Sequence, residues 1–327
     1  MPPNKRPRRR RHWGRTRKGG HVPVLLREVL GVLAPRPGQM AVDCTLGYGG
    51  HAEELLRLLG PSGLLVGLDV DGEQLQRTRE RLAPLNLPMR LHRANFRELP
   101  QVLAGERIGG TDILLADLGV SSMQIDEEAR GMHYRHKDAP LDMRMDSRLN
   151  RTAADLLAEM PEAELAAALA ELSDEPDAGK IARWIVRERR VTPFERTGQL
   201  TRLILHAKGL TERGANDWRK SPASRHGELH PAAQTFQALR MLVNDELGSL
   251  RCLLEAAPGV LKPGGRVAII SFHSGEDRLV KQALRAGYED GAYEAVSTKA
   301  IMPRPAEKNA NPRSASAKLR WARRAET

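Results

Sequence analysis

The strongest constraint on the fold of this chain is an alternation that starts, stops and starts again. Short apolar runs at Met40–Cys44, Leu64–Leu68, Met89–His92 and Asp112–Ala116 are separated by segments with helical spacing, among them Ala52–Leu59 and Glu73–Leu82. Strands buried on both faces read as continuous Val/Ile/Leu runs, and their alternation with helices builds a parallel sheet covered on both sides. From about Ile125 to Glu228 no strand pattern occurs. Ala/Leu/Glu segments replace it at Ala153–Met160, Glu162–Leu172, Ala178–Arg190 and Gly198–Lys208, with Pro161 suited to an opening helical turn. The spacing next predicts one long helix over Ala232–Ala257, a Leu261-Lys262-Pro263-Gly264-Gly265 turn and a buried strand at Arg266–Ser271. The expected fold is therefore α/β, a doubly wound Rossmann-like sheet interrupted by an inserted helical domain. The expected bounds are a tail over 1–20, the first part of the sheet domain over 21–125, the insertion over 126–228, and the second part over 229–327.

Charge is concentrated at the two ends. Residues 1–20 carry nine Lys or Arg and no acid, and the stretch from Arg304 onward carries seven against two Glu, which leaves the middle of this +11 chain at −3. Basic ends on a near-neutral body suit a polyphosphate partner, because each neutralised phosphate releases counterions. The Pro- and Arg-rich tail is read as disordered, with the C-terminal stretch the better candidate for RNA contact. No run approaches the roughly 20 apolar residues of a membrane span, and no apolar leader opens the chain. With only Cys44 and Cys252, neither a disulfide scaffold nor a cysteine-rich zinc site is expected, so the reading is cytoplasmic, without membrane or metal.

The first strand runs into Val42-Asp43-Cys44-Thr45-Leu46-Gly47-Tyr48-Gly49-Gly50-His51, a glycine loop leading into a helix. Such a loop lets backbone approach a ligand beside free helix N–H groups. Asp69 ends the second strand, where a carboxylate can accept bonds from both hydroxyls of an adenosine ribose. Spacing alone leaves the ligand open, since Gly47-x-Gly49-x-x-Ala52 also fits the dinucleotide fingerprint. Asp43 beside the loop suits a cationic, methionine-derived ligand better than a pyrophosphate. The Leu261–Gly265 turn before a late strand and the lack of any hydride-transfer constellation point the same way.

At the fourth strand stands Asp117-Leu118-Gly119-Val120-Ser121-Ser122-Met123-Gln124-Ile125-Asp126, followed by Pro140-Leu141-Asp142-Met143-Arg144-Met145. Later come Thr235-Phe236-Gln237-Ala238-Leu239-Arg240, Val243-Asn244-Asp245-Glu246-Leu247, Ser271-Phe272-His273-Ser274 with Glu276-Asp277-Arg278, and Asn311-Pro312-Arg313-Ser314. In this order, with the opening His21-Val22-Pro23-Val24-Leu25-Leu26 and the glycine loop, the chain resembles the ribosomal RNA small subunit methyltransferase H family from about His21 to Arg320. It departs from the family pattern at Gly275, Ala233-Gln234, Ala315 and Met132-His133-Tyr134. The resemblance implies a class I methyltransferase sheet using S-adenosylmethionine, with N4-methylation of a cytidine in the decoding region of 16S ribosomal RNA. Carried over by position, the cofactor contacts are Gly49, Gly50, His51, Asp69, Phe96, Asp117 and Gln124. Phe96 packs either on the adenine or into the core. The implied partner is the small ribosomal subunit with its 16S rRNA, and the sequence leaves a homodimer open.

A sulfonium methyl is already activated, so the protein's task is to align the acceptor in line with it. Cytosine's exocyclic amine is a weak nucleophile, and an acceptor beside it would draw its hydrogens and localise its lone pair. Asp117 is the candidate, serving either that amine or the cofactor. His273 and Asp277, just past the Arg266–Ser271 strand, complete the expected catalytic set as groups contacting the cytidine. Carbon-5 methylation ordinarily needs a thiolate, and the fourth-strand motif has no cysteine, so nitrogen is the expected target. Two competing readings follow from the same residues: a non-catalytic ribosome-assembly factor keeping the methyltransferase fold, and a nicotinamide-dependent dehydrogenase.

Overall fold

A computed structural model describes residues 23–120, 127–211 and 230–326. Its centre is a seven-stranded sheet in the order β3-β2-β1-β4-β5-β7-β6. The strands are β1 (Met40–Asp43), β2 (Leu64–Asp69), β3 (Met89–Arg93), β4 (Thr111–Asp117), β5 (Leu261–Ser271), β6 (Tyr293–Val296) and β7 (Lys318–Arg324). β1 to β5 pair in parallel, while β7 runs antiparallel to both β5 and β6.

Successive strand residues point to opposite faces, and the two faces bury different partners. Val42, Val66, Leu68, Leu114, Ala116, Val267 and Ile269 share one hydrophobic cluster; Ala41, Leu65, Ile113, Leu115, Ala268 and Ile270 share the other. The second face is covered by α1 (Leu26–Leu33), α2 (Gly50–Leu59) and α3 (Gly72–Leu82) through Val29, Leu33, Leu55, Leu59, Leu75 and Leu82. The first is covered by α4 (Leu99–Gly105) and later helices. That two-sided burial makes the strand runs continuously apolar, and the doubly wound α/β sheet expected from the sequence is the fold observed.

The insertion contains α5 (Ala153–Glu159), α6 (Glu162–Ser173), α7 (Ala178–Glu188) and α8 (Thr197–Ala207). They close on a third cluster that includes Leu157, Leu165, Leu169, Ile181, Ile185, Phe194 and Ile204. The single helix expected over Ala232–Ala257 is two, α9 (Ala233–Val243) and α10 (Glu246–Val260). The break falls at Asp245, whose φ of 46° is left-handed. There Asn244 turns its side chain onto the insertion: its amide donates to Met143 O at 2.8 Å and its oxygen accepts from Met145 N at 2.7 Å. α9 packs Phe236, Ala238, Leu239 and Val243 into the insertion's cluster, past the 228 boundary read from the sequence, whereas α10 packs Leu250, Leu253 and Leu254 against the sheet.

After β5 come α11 (Ser274–Glu289), β6, α12 (Pro305–Ala310) and β7. The sequence reading stopped at five strands because β7 reads Lys-Leu-Arg-Trp-Ala-Arg-Arg, a charged run. Only Leu319 and Ala322 reach the hydrophobic clusters, and the cations are matched by ion pairs instead: Arg320 to Asp277 and Arg323 to Glu294. Among the described residues no helix is long and apolar enough to cross a membrane, and no group of three or more His, Cys, Asp or Glu is arranged to hold a metal.

Candidate active site

β1, β2, β4 and β5 all end on one edge of the sheet, and each end delivers polar groups. Between β1 and α2 the glycine loop folds back on itself. Gly47 N–H donates to Asp69 Oδ2 at 2.8 Å, and Gly47 O accepts from Thr78 Oγ1 at 2.6 Å. Gly49 caps α2 with φ 76°, and a Cβ there would lie 2.7 Å from Thr78 Cγ2. A Cβ on Gly50 would meet Pro23 Cγ at 2.6 Å. Close packing against α3 and Pro23 therefore requires both glycines.

Asp69 holds the loop from the end of β2. Its Oδ1 accepts from Asp71 N–H at 2.9 Å, while Oδ2 takes Gly47. Burial outweighs these bonds and raises its pKa to about 6. Asp43, at the end of β1, is 2% exposed. Burial, with the Asp69 carboxylate adding to it, raises its pKa to about 7 against the opposing bonds from Thr45. Asp117 ends β4, tied by its N–H to Thr45 Oγ1 at 2.6 Å. Burial first, then Asp43 and Glu276, push its carboxyl well above the carboxylate range. Its side chain is 25% exposed, yet its Oδ1 is sealed from solvent and has no hydrogen-bond partner among the described residues. His51 Nε2 lies 3.0 Å from Val24 O, which can only accept, so this nitrogen carries the proton. Nδ1 then faces Asp117 Oδ2 at 3.8 Å. Carboxylates that resist ionisation, one with an orphaned oxygen, suit a ligand that brings positive charge and hydroxyl donors.

The end of β5 behaves differently from the sequence expectation. His273 is the N-cap of α11, its Nδ1 accepting from Glu276 N–H at 3.3 Å and its Nε2 lying 3.1 Å from Glu276 Oε1. Asp277 pairs with β7. Arg320 Nε donates to its Oδ1 at 2.6 Å, and Lys318 Nζ lies 3.6 Å from Oδ2. Burial opposes ionisation of Asp277, but these cations outweigh it and hold the carboxyl below its usual range. Asp277 is thus engaged at the strand edge and His273 Nδ1 at the helix start, while His273 Nε2 is buried without a hydrogen-bond partner among the described residues. The residue that does reach the carboxylate cluster is Glu276, 3% exposed, whose Oε2 accepts Phe272 N–H at 2.9 Å. The His273-x-x-Glu276 spacing, close to a capping box, was the signal for it.

Replacing Asp277 by Ala leaves Arg320, 8% exposed, without its partner. Removing one member of a buried pair costs about 3–5 kcal/mol. The expected result is a clear fall in melting temperature with undiminished turnover per folded molecule. Lost turnover at unchanged stability would return Asp277 to the substrate.

Phe96, in the short turn after β3 capped by Asn95, is half-buried against the first cluster, so one side is core and the other open. Gln124 lies outside the described residues. Where sheet and insertion meet, a cleft of about 720 Å³ is lined by Asp71, Gly72, Arg93, Arg130, Arg144 and Met145. Arg130 bridges the two units, donating to Asp71 Oδ2 at 2.6 Å and to Met145 O at 3.2 Å. Cys44 is buried, and burial with Asp43 beside it raises its thiol well above the ordinary range, so it is no thiolate nucleophile.

Known proteins share this arrangement of sequence. The profile of the MraW methylase family matches residues 18–325. Ribosomal RNA small subunit methyltransferase H of Symbiobacterium thermophilum is 45% identical over 92% of this chain and 95% of its own. The proteins of the same name from Geobacter sulfurreducens and Deinococcus radiodurans are 43% and 41% identical, over 92% and 93% of this chain and 98% and 90% of theirs. Among solved structures, an rRNA methylase from Streptococcus thermophilus overlaps 92% of this chain and 93% of its own, with 11% identity and a TM-score of 0.39. On the profile match and these identities over nearly the whole length, the chain belongs to the MraW methylase family.

Proposed function

We propose that the protein transfers a methyl group from S-adenosylmethionine to the N4 amine of a cytidine in the decoding region of 16S rRNA, within the small ribosomal subunit in the cytoplasm. The observation that carries the choice of nitrogen is Asp117: a strand-end carboxyl, 25% exposed, with the only neighbouring thiol among the described residues, Cys44, held protonated. When bound, S-adenosylmethionine supplies an activated methyl on a cationic sulfur. Asp69 would take the ribose hydroxyls, Phe96 the adenine, and Gly49, Gly50 and His51 the cofactor along the loop. Gln124 would join them from the segment after β4. A positive charge among Asp43, Asp69 and Asp117 favours their ionised forms. Ionised Asp117 then accepts a hydrogen from the target amine at its other oxygen, Oδ2, sharpening the amine's lone pair and taking its proton as the new N–C bond forms. His273 and Asp277 act at one remove, by fixing Glu276 and the β5 edge.

Labelled methyl transfer to small subunits from a strain lacking the enzyme, followed by nucleoside analysis, tests the reading. N4-methylcytidine is the expected product. No label despite measurable cofactor binding would favour the assembly-factor alternative, and label on another nucleoside would reject the N4 assignment.

The raised carboxyls add a pH signature. Their protonated forms dominate below about 6 to 7, and a cation binds the ionised forms, so protons must leave on binding. Cofactor affinity should rise with pH through that window and level off above it, with proton release visible by calorimetry in buffers of differing ionisation enthalpy. The same raised values make ionisation costly in the ligand-free fold, so its melting temperature should fall as pH rises from the ordinary carboxylate value of 3.8 to about 7. Asp43→Asn should flatten both curves; a wild-type affinity independent of pH would contradict the electrostatic account.

A further inference from the structure

A second pocket lies wholly within the helical insertion, lined by none of the residues assigned above. Its volume is about 360 Å³, and its walls include Trp184, Phe194, Leu203, Arg202, His206 and Glu188, from α7, α8 and the connection between them. Trp184 is half-buried against the insertion's core, with His206 edge-on to it at 4.6 Å between ring centroids and 86° between planes. The Arg187 guanidinium sits over the Trp184 ring, 5.2 Å from its centroid. Next in sequence to the lining residue Thr192, Val191 is 81% exposed, the most exposed large apolar side chain among the described residues.

Two further properties narrow the occupant. Arg202 in the lining, and Arg187 and Arg190 on the neighbouring chain, carry no carboxylate partner among the described residues. Glu188 also has no ion pair there, so the pocket presents an unpaired acceptor beside Arg202, with the Arg187 guanidinium on the Trp184 ring. An aromatic wall with free guanidiniums around it is the arrangement that stacks a nucleobase and neutralises its phosphate. A free carboxylate at the edge of such a stack accepts from an exocyclic amine and finds no donor of that kind on uracil.

We propose that this pocket takes a single unpaired base of the RNA substrate, one bearing an exocyclic amine, as an anchoring point separate from the reacting cytidine. The inference rests on the RNA-methylating reading above. Trp184 and Phe194 supply the apolar walls, Arg187 and Arg202 the phosphate contacts, and Glu188 the base preference.

The test uses the full chain with unmethylated small subunits, and with single-stranded oligo(C), oligo(A) and oligo(U). Trp184→Leu should raise KM for the subunit by about fivefold or more, the range expected for one lost stack, leaving kcat and cofactor affinity unchanged. Arg187→Ala with Arg202→Ala, a pair of surface changes that spares the fold, should do the same and lessen the salt dependence of binding. Fluorescence of the wild type should respond more strongly to oligo(C) and oligo(A) than to oligo(U), and Glu188→Gln should reduce that difference. Unchanged KM in all these variants, with normal wild-type methylation, would overturn the pocket while leaving the proposed function standing. Raised KM on subunits with unchanged binding of protein-free rRNA would overturn it in favour of a ribosomal protein as occupant. No methylation by the wild type would overturn the reading beneath it.

Discussion

Asp69→Ala should lose cofactor affinity by about 10²- to 10⁴-fold and abolish methyl transfer at ordinary cofactor concentrations. The carboxylate would accept both ribose hydroxyls, and hydrogen bonds to a charged group are each worth about 1.5–3 kcal/mol. The side chain also holds the loop itself, through Gly47 N–H at 2.8 Å and Asp71 N–H at 2.9 Å. Its removal therefore strips two backbone donors of their acceptor and lets the glycine loop move, so the loss exceeds that of the ligand contacts alone. Asp69→Asn retains the shape and one acceptor, and should fall between wild type and Ala. Calorimetric titration with the cofactor, beside a thermal melt to confirm folding, measures the effect. An affinity within threefold of wild type in a folded Asp69→Ala protein would place the ribose elsewhere.

Asp117→Asn is expected to lower kcat by about 10²- to 10³-fold while changing cofactor affinity by less than about tenfold, the range for loss of a positioned proton acceptor. The amide keeps the volume of the carboxyl and the bond from Asp117 N–H to Thr45 Oγ1. It cannot take a proton from the amine. Single-turnover transfer to saturating subunits separates chemistry from binding. If affinity and rate fall in the same proportion, Asp117 serves the cofactor and the amine finds its acceptor among the carbonyls that follow. The two outcomes divide the roles that the sequence left open for this residue.

Several features were legible without coordinates because their causes are local. The Val/Ile/Leu runs of β1, β2, β4 and β5 predicted buried parallel strands, since a strand covered on both faces has no polar side to show. The glycine loop and the strand-end positions of Asp43, Asp69 and Asp117 followed from where those strands stop. The insertion helices were visible in their apolar spacing. Gly49 was evident as a loop residue, but not that Thr78 stands 2.7 Å from where its Cβ would be.

What the tertiary structure alone decided depends on partners distant in the chain. β7 is a strand because Asp277, 43 residues away, neutralises Arg320 inside it, and Glu294 meets Arg323; a charged run carries no strand signal until its counterions are known. The same pairing engages Asp277 at the strand edge, as helix capping engages His273 Nδ1, and neither contact is visible in the sequence. The Ala232–Ala257 helix breaks at Asp245 because Asn244 binds Met143 and Met145, about 100 residues earlier. The cleft between sheet and insertion is held by Arg130 on Asp71, 59 residues apart. Sequence pattern encodes which side of an element is buried, through the period of its apolar residues. Which charges end up shared, and which such as Asp117 Oδ1 find no partner among the described residues, is fixed only when distant segments are packed together.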